Sequence, residues 1–207
     1  MLRYLSAAAL AREPLLQDTM FRDRACQFHR RLGWEVKVDA RGWEQDDYDR
    51  EGPLYVIWQG RDGRHGGSMR FLPTTGRTMV NDHFLHLSQG GPVRDPLVWE
   101  CTRFCLSDAA PPGVSAALML GGAELGAGFG LSRAVGVFDA RMVRIYRHLG
   151  WAPEVAGFTG EGRDAVGLGF WTFSEATRRR MAALAGLSPE VSRHWFRMAL
   201  GEARQAA

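Results

Sequence analysis

Lysine is almost missing from this chain: Lys37 stands alone among 26 basic side chains, and the rest are arginine. Genome composition can produce that bias, and a net charge of +3 selects no partner by itself. Cysteine is equally scarce. Cys26, Cys101 and Cys105 are odd in number and lack CxxC spacing, which excludes a disulfide framework or a zinc site and leaves free, buried thiols. No run approaches the roughly 18 apolar residues of a membrane span, and the opening MLRYLSAAALA is too short and too weakly charged for a signal peptide, so a cytosolic protein is expected. Phosphate loops of the GxxxxGK[ST] or GxGxxG type and the GxSxG nucleophile elbow are absent too. The glycines Gly121, Gly122, Gly126, Gly128 and Gly130 fall inside a predicted helix, where close packing explains them better than phosphate binding. His83 and His86 read as an exposed loop pair rather than part of a hydrolase triad.

What is present is an ordinary folding composition, 45% hydrophobic and 24% charged over 207 residues. That length predicts one domain over 1–207, with helices near 174–203 as an appendage. Pro14 suits a first helical turn, and Leu16, Met20, Cys26 and Phe28 supply an apolar set up to Gly33, predicting a helix over 14–32. Arg24 and Phe28 then share a face. Residues 39–52 are acidic and irregular, a loop folding over something. LYVIWQ (54–59) and GGSMRFLP (66–73), joined by a turn at 61–63, form a hairpin. LVWECTRFCL (97–106) is the most strand-like run, followed by a helix near 115–131, a strand at 134–138, a helix with Met142, Ile145, Tyr146 and Leu149 as its apolar stripe, a strand at 166–173 and helices near 174–185 and 189–203. This order predicts an α/β fold of roughly six strands in a single three-layer sandwich, the sheet mixed but mostly antiparallel.

Charges inside the strand-like runs are the unusual feature: Arg70 within SMRFLP, and Glu100 with Arg103 within VWECTRFCL. Such groups need partners, because an unpaired buried charge is costly while a facing Arg and carboxylate offset much of the desolvation. A structural ion pair and a functional site are equally compatible with the spacing. Period-two alternation would place Glu100 and Arg103 on opposite faces, so a shared role requires a bulge between them, a feature common beside active sites.

RDRACQFHRRLGW (22–34), EQDDYD (44–49), RFLPTTGRTMVNDHF (70–84) and WECTRF (99–104) together resemble the acyl-homoserine lactone (autoinducer) synthases of the LuxI type, whose fold is related to the GCN5-type N-acetyltransferases. The resemblance implies N-acylation of S-adenosylmethionine by an acyl thioester, then lactonisation to an acyl-homoserine lactone and methylthioadenosine. It assigns Arg24, Phe28, Trp34, Asp46, Asp49, Phe84 and Arg103 to S-adenosylmethionine and Met69, Phe104 and Gly136 to the acyl pocket. Catalysis falls to Glu100 as base for the substrate ammonium, directly or through a water, with Arg70 and Arg103 orienting carboxylates. These three are expected to line one cavity. No metal or redox cofactor is implied, and S-adenosylmethionine enters as substrate. Three departures stand out: Arg77 replaces a usual proline, Met69 a frequent Trp or Ala, and Thr102 a common Ser.

The acyl donor implied is an acyl-carrier protein or acyl-CoA, with Arg144 and Arg147, joined by Arg141 and Arg178 to Arg180, as a docking face for the former. Gly136 stands where relatives favouring 3-oxo chains carry a Thr hydroxyl, which predicts a preference for chains without the 3-oxo group. Two other readings compete. A GCN5-type N-acyltransferase using acyl-CoA on another amine would need a phosphate cradle where this chain has SDAAPPGVSAAL. A basic nucleic-acid module would rest on an arginine stripe alone, without helix-turn-helix, zinc or RNP pattern.

Overall fold

Leu2, Tyr4 and Leu5 give the first residues a face to bury, and the chain begins with strand β1 (Leu2–Ser6). The computed structural model describes residues 1–162 and 165–205. Ser6 caps the short α1 (Ala7–Leu10), its hydroxyl accepting the Ala9 N–H, and Pro14 opens α2 (Pro14–Arg24). The helix expected over 14–32 continues, but residues Ala25–Arg31 widen into a π-helix, a winding often found at functional sites. A 3₁₀ turn, Asp47–Arg50, precedes the hairpin of β2 (Leu54–Gln59) and β3 (His65–Pro73).

There follow α3 (Met79–His83), β4 (Val98–Leu106), α4 (Val114–Phe129), β5 (Arg133–Asp139) and α5 (Met142–His148). The chain then adds β6 (Glu154–Thr159), β7 (Val166–Thr172), α6 (Glu175–Ala185) and α7 (Pro189–Gln205). The strands form one sheet in the order β1-β2-β3-β4-β5-β7-β6. Every pairing is antiparallel except β4 with β5, which are joined only over Val98–Glu100 against Arg133–Val135. Beyond those three residues the two strands share no register, and a gap opens inside the sheet.

Helices cover both faces, giving three layers. On one side α4 packs with its glycines against the sheet and its neighbours: a Cβ on Gly121 would stand 2.5 Å from Val56, on Gly126 2.3 Å from Phe173 and on Gly128 2.0 Å from Phe196. Close packing is therefore what Gly121, Gly126 and Gly128 do, whereas Gly130 lies outside the helix as its left-handed C-cap, with nothing within 4 Å of an added Cβ. The helices at 174–203 contribute Met181, Ala182 and Phe196 to this same core, together with Leu118, Leu125 and Trp171. On the other side α1 and α2 bury Leu10, Leu16, Met20 and Phe21 against Tyr55 and Ile57, and α3 sets Val80 against Val98, Val135 and Leu168. Among the described residues no helix is long and apolar enough to cross a membrane.

Candidate active site

The interior of the site is set by an irregularity in β4. Arg70 stands opposite Thr102 and Ser68 opposite Cys105, so Arg103 and Phe104 together face the single residue Met69. Arg103 has φ +54, the one positive value outside glycine among the described residues. A left-handed non-glycine residue costs roughly 1–2 kcal/mol. The result is the bulge that the charge pattern required. It turns Arg103 to the side of Glu100, while Cys101 and Phe104 pack into the core on the other side.

On the charged side, the acidic loop folds back so that its carboxylates meet three arginines. Arg24 is 1% exposed; its Nε donates to Glu44 at 2.6 Å, and its two terminal nitrogens donate to Asp49 at 2.9 and 3.0 Å. Arg70 donates through both terminal nitrogens to Asp46, through Nε to Thr102 at 3.0 Å, and lies 2.9 Å from Asp49. Arg103 reaches Glu44 at 3.0 Å and Asp46 at 2.8 Å. Tyr55 completes Asp49 by donating its hydroxyl at 2.8 Å. Three guanidinium groups thus face three carboxylates, the balance needed to keep such charges out of water. Burial alone would raise the Asp49 carboxyl, but Arg24 and Arg70 outweigh it and hold that group below the usual carboxylate range.

Glu100 lies beside this network, fully buried, and its carboxylate accepts the backbone N–H of Met79 at 3.1 Å and of Val80 at 2.6 Å at the start of α3. Burial pushes its pKa up, against the opposing pull of those two N–H groups and of Arg70. A carboxylate whose pKa is raised is a stronger base than a free one, which suits it to accept a proton. Toward the rim, Phe28 stacks on Trp34 with centroids 5.1 Å apart and planes at 14°, and the Arg103 guanidinium sits 5.3 Å from the Phe28 ring. Asp46 keeps 21% of its side chain exposed and Trp34 is 37% exposed, so this rim is where a ligand can meet the network. Phe84 is half-buried against the cluster that holds Val80 and Leu87.

The gap between β4 and β5 holds a cavity of about 70 Å³ bounded by Met69, Cys101, Phe104, Gly136, Tyr146 and Trp171, among others. Burial raises the Cys101 thiol to about 12, so it is a neutral wall. The expected acyl-pocket residues Met69, Phe104 and Gly136 therefore come together on one cavity.

A model of the autoinducer synthase family matches residues 8–181. An acyl-homoserine-lactone synthase of Rhizobium etli is 38% identical over 190 residues, covering 88% of this chain and 89% of the relative. The chain belongs to the autoinducer synthase family. In fold it resembles BjaI, a CoA-dependent acyl-homoserine lactone synthase solved with S-adenosylmethionine and isopentyl-CoA, with a TM-score of 0.80 over 90% of each chain at 23% identity. A Lactobacillus plantarum protein assigned as an N-acetyltransferase follows the same fold more distantly, at a TM-score of 0.55 and 15% identity over 84% of this chain and 98% of that one. This autoinducer synthase is thus an acyltransferase on a GCN5-type three-layer sandwich.

Several expectations change on this synthase's structure. Arg70, Glu100 and Arg103 do not line one cavity: Arg103 borders the gap between β4 and β5, but Arg70 and Glu100 lie behind it in the charged layer. Arg24 and Asp49, expected to touch substrate, spend their polar atoms on protein partners and are enclosed. Arg178 is not on a docking face; it is buried between Glu124 at 3.0 Å and Glu175 at 2.7 Å. Arg141, Arg144, Arg147, Arg179 and Arg180 are exposed, with Arg141 paired to Asp139 at 2.9 Å. Glu44 was missed. It is fully buried and joins Arg24 to Arg103, and its place two residues before Asp46, on the same side of an extended segment, was the signal available.

Proposed function

We infer that the charged layer and the gap between β4 and β5 are the two halves of one reaction site, the first for S-adenosylmethionine and the second for the acyl thioester. The amine of S-adenosylmethionine attacks the thioester carbonyl and expels a thiol, forming an amide. The methionyl carboxylate then displaces methylthioadenosine at the carbon next to sulfur and closes the lactone.

Asp46, with its exposed carboxylate edge, faces the cationic end of the substrate, and Arg103 faces its carboxylate. Phe28 and Trp34 form the apolar wall at the rim, with Phe84 closing the site beyond α3. Glu100 takes the proton of the attacking ammonium through a water, because its own oxygens are enclosed by the Met79 and Val80 amides. Arg70 holds Asp46 in place, and Arg24, Glu44 and Asp49 form the rigid frame beneath. The acyl chain enters between Met69, Phe104 and Gly136. One observation carries this division: the bulge at Arg103 turns a single strand outward to both halves, charge on one face and cavity on the other.

Either an acyl-carrier protein or acyl-CoA supplies the chain. The exposed arginines Arg144 and Arg147 on α5, with Arg179 and Arg180 on the neighbouring α6, suit an acidic carrier protein. The deciding experiment incubates the pure protein with S-adenosylmethionine and a panel of acyl-CoA and acyl-carrier-protein thioesters, and identifies products by mass spectrometry. Lactone with release of methylthioadenosine supports the reading; amide formation on another amine without methylthioadenosine overturns it.

A further inference from the structure

We propose that Thr78 is a further positioning residue of this reaction, its hydroxyl holding the water through which Glu100 receives the proton of the attacking ammonium. The inference rests on the reading of Glu100 as base and deepens it. Thr78 precedes α3 in an extended conformation, φ −141 and ψ 151, at the N-cap position. A threonine there ordinarily turns its hydroxyl oxygen to accept the backbone N–H two or three residues on. Thr78 makes no such bond. The Met79 and Val80 N–H groups donate instead to the Glu100 carboxylate, at 3.1 and 2.6 Å, so a side chain from β4 has taken over the cap. The threonine hydroxyl is thereby released from its usual task.

Thr78 is fully buried all the same, and its hydroxyl has no hydrogen-bond partner among the described residues. Other buried hydroxyls of this region are answered within the protein. Thr74 donates to the carbonyls of Asp95 and Val98 at 2.9 and 2.8 Å, Thr102 accepts from Arg70 at 3.0 Å, and Tyr55 donates to Asp49 at 2.8 Å. The unpartnered hydroxyls of Tyr4 and Ser192 stand apart from the charged layer, Tyr4 packing edge-on against Phe196 of α7. Covalent geometry keeps the Thr78 oxygen within about 5 Å of the Met79 nitrogen, which itself stands 3.1 Å from Glu100. Hydroxyl and carboxylate are therefore near enough to share a bridging water. Folded proteins avoid leaving a buried hydroxyl unanswered, and a water between the two satisfies both groups. The substrate ammonium gives a proton to that water, the water passes one of its own to Glu100, and the water is regenerated. Thr78 changes nothing in this balance; it fixes where the water stands.

The test is Thr78→Val, which keeps the shape and removes the hydroxyl, with Thr78→Ala as a second hydroxyl-free variant. Beside them stand Thr78→Ser, Glu100→Gln and the double variant of Thr78→Val with Glu100→Gln, each assayed for lactone formation across pH and for urea stability. Thr78→Val should lower kcat about tenfold with KM nearly level. Its acid limb should move to higher pH, because the Glu100 carboxylate loses a donor that favours its charged form. Thr78→Ser should restore both. In the Glu100→Gln background Thr78→Val should cost little more, since the two residues act through one water. Hydroxyl-free variants with the wild-type kcat and acid limb would overturn the proposal. So would a loss that Thr78→Ser does not recover, or one that only follows the folded fraction, which marks packing. Full turnover in Glu100→Gln sinks the parent reading and this one with it, whereas a slow Glu100→Gln beside an unimpaired Thr78→Val leaves the base in place and removes Thr78 alone.

Discussion

Replacing Arg24 with methionine should reveal how much of the fold rests on the charged layer. Methionine fills much of the same volume but removes three charge-assisted hydrogen bonds, one to Glu44 and two to Asp49. Both carboxylates remain buried, Glu44 held by Arg103 and Asp49 by Arg70 and Tyr55. Breaking a buried pair on one side costs about 3–5 kcal/mol, and the surviving arginines place this case near the lower bound, about 3 kcal/mol. With a urea slope of about 2 kcal/mol per molar, the unfolding midpoint should fall by about 1.5 M at pH 8.

The loss should also depend on pH, with a sign that follows from the carboxylates. In the wild type, the folded pKa of Asp49 is depressed, so its contribution is present above the unfolded value of about 4 and is lost as pH falls through the folded one. In Arg24→Met that stabilisation shrinks, and carboxylates left short of positive charge in a buried place titrate higher. Protonating them relieves the variant, so the gap to wild type should narrow as pH falls from 8 to 5. Urea titrations at the two pH values measure it. A deficit under 1 kcal/mol, or one that does not change with pH, would refute the claim that Arg24 balances these carboxylates.

Glu100→Gln should lower kcat by about 100-fold or more as the proton acceptor is lost, and cost about 1–3 kcal/mol of stability because an amide cannot accept both the Met79 and Val80 N–H groups; turnover reduced only in line with folded fraction would deny Glu100 the role of base. With the Glu100 pKa raised by burial, wild-type kcat should fall with acidification before the pH at which an ordinary carboxylate titrates, and a profile that stays flat until that ordinary range is reached would count against it. Charge reversal at Arg144 and Arg147 should raise KM for an acyl-carrier-protein donor, more so at low salt, and leave acyl-CoA turnover level; equal effects on both donors would remove the docking face. In direct competition, octanoyl thioester should outcompete 3-oxo-octanoyl thioester by about tenfold, since Gly136 offers no hydroxyl to a buried ketone; equal use of the two would refute that assignment.

How far the sequence could be read depended on whether a residue's environment is set locally or by distant chain. Hairpin β2–β3, strand β4 and helix α4 were legible because turn residues, period and glycine packing all act within a few residues. Strand β1 was hidden in a segment weighed as a possible signal peptide, and β6 has a largely exposed, unpatterned face that gives no period to count. The fate of Arg24 was not local at all. It turns inward only because Glu44 and Asp49, 20 and 25 residues later, fold back to meet it, and the same kind of distant approach draws Arg178 down to Glu124. The bulge at Arg103 is the instructive exception, since it was required by a conflict visible in the sequence. Two charges three apart in an apolar strand cannot both be satisfied on one face under strict alternation, and leaving either unpaired in the core would cost more than one residue in the left-handed region. Where local geometry and burial energy disagree, the cheaper distortion is the one the chain adopts, and here that distortion sets charge and cavity on opposite sides of a single strand.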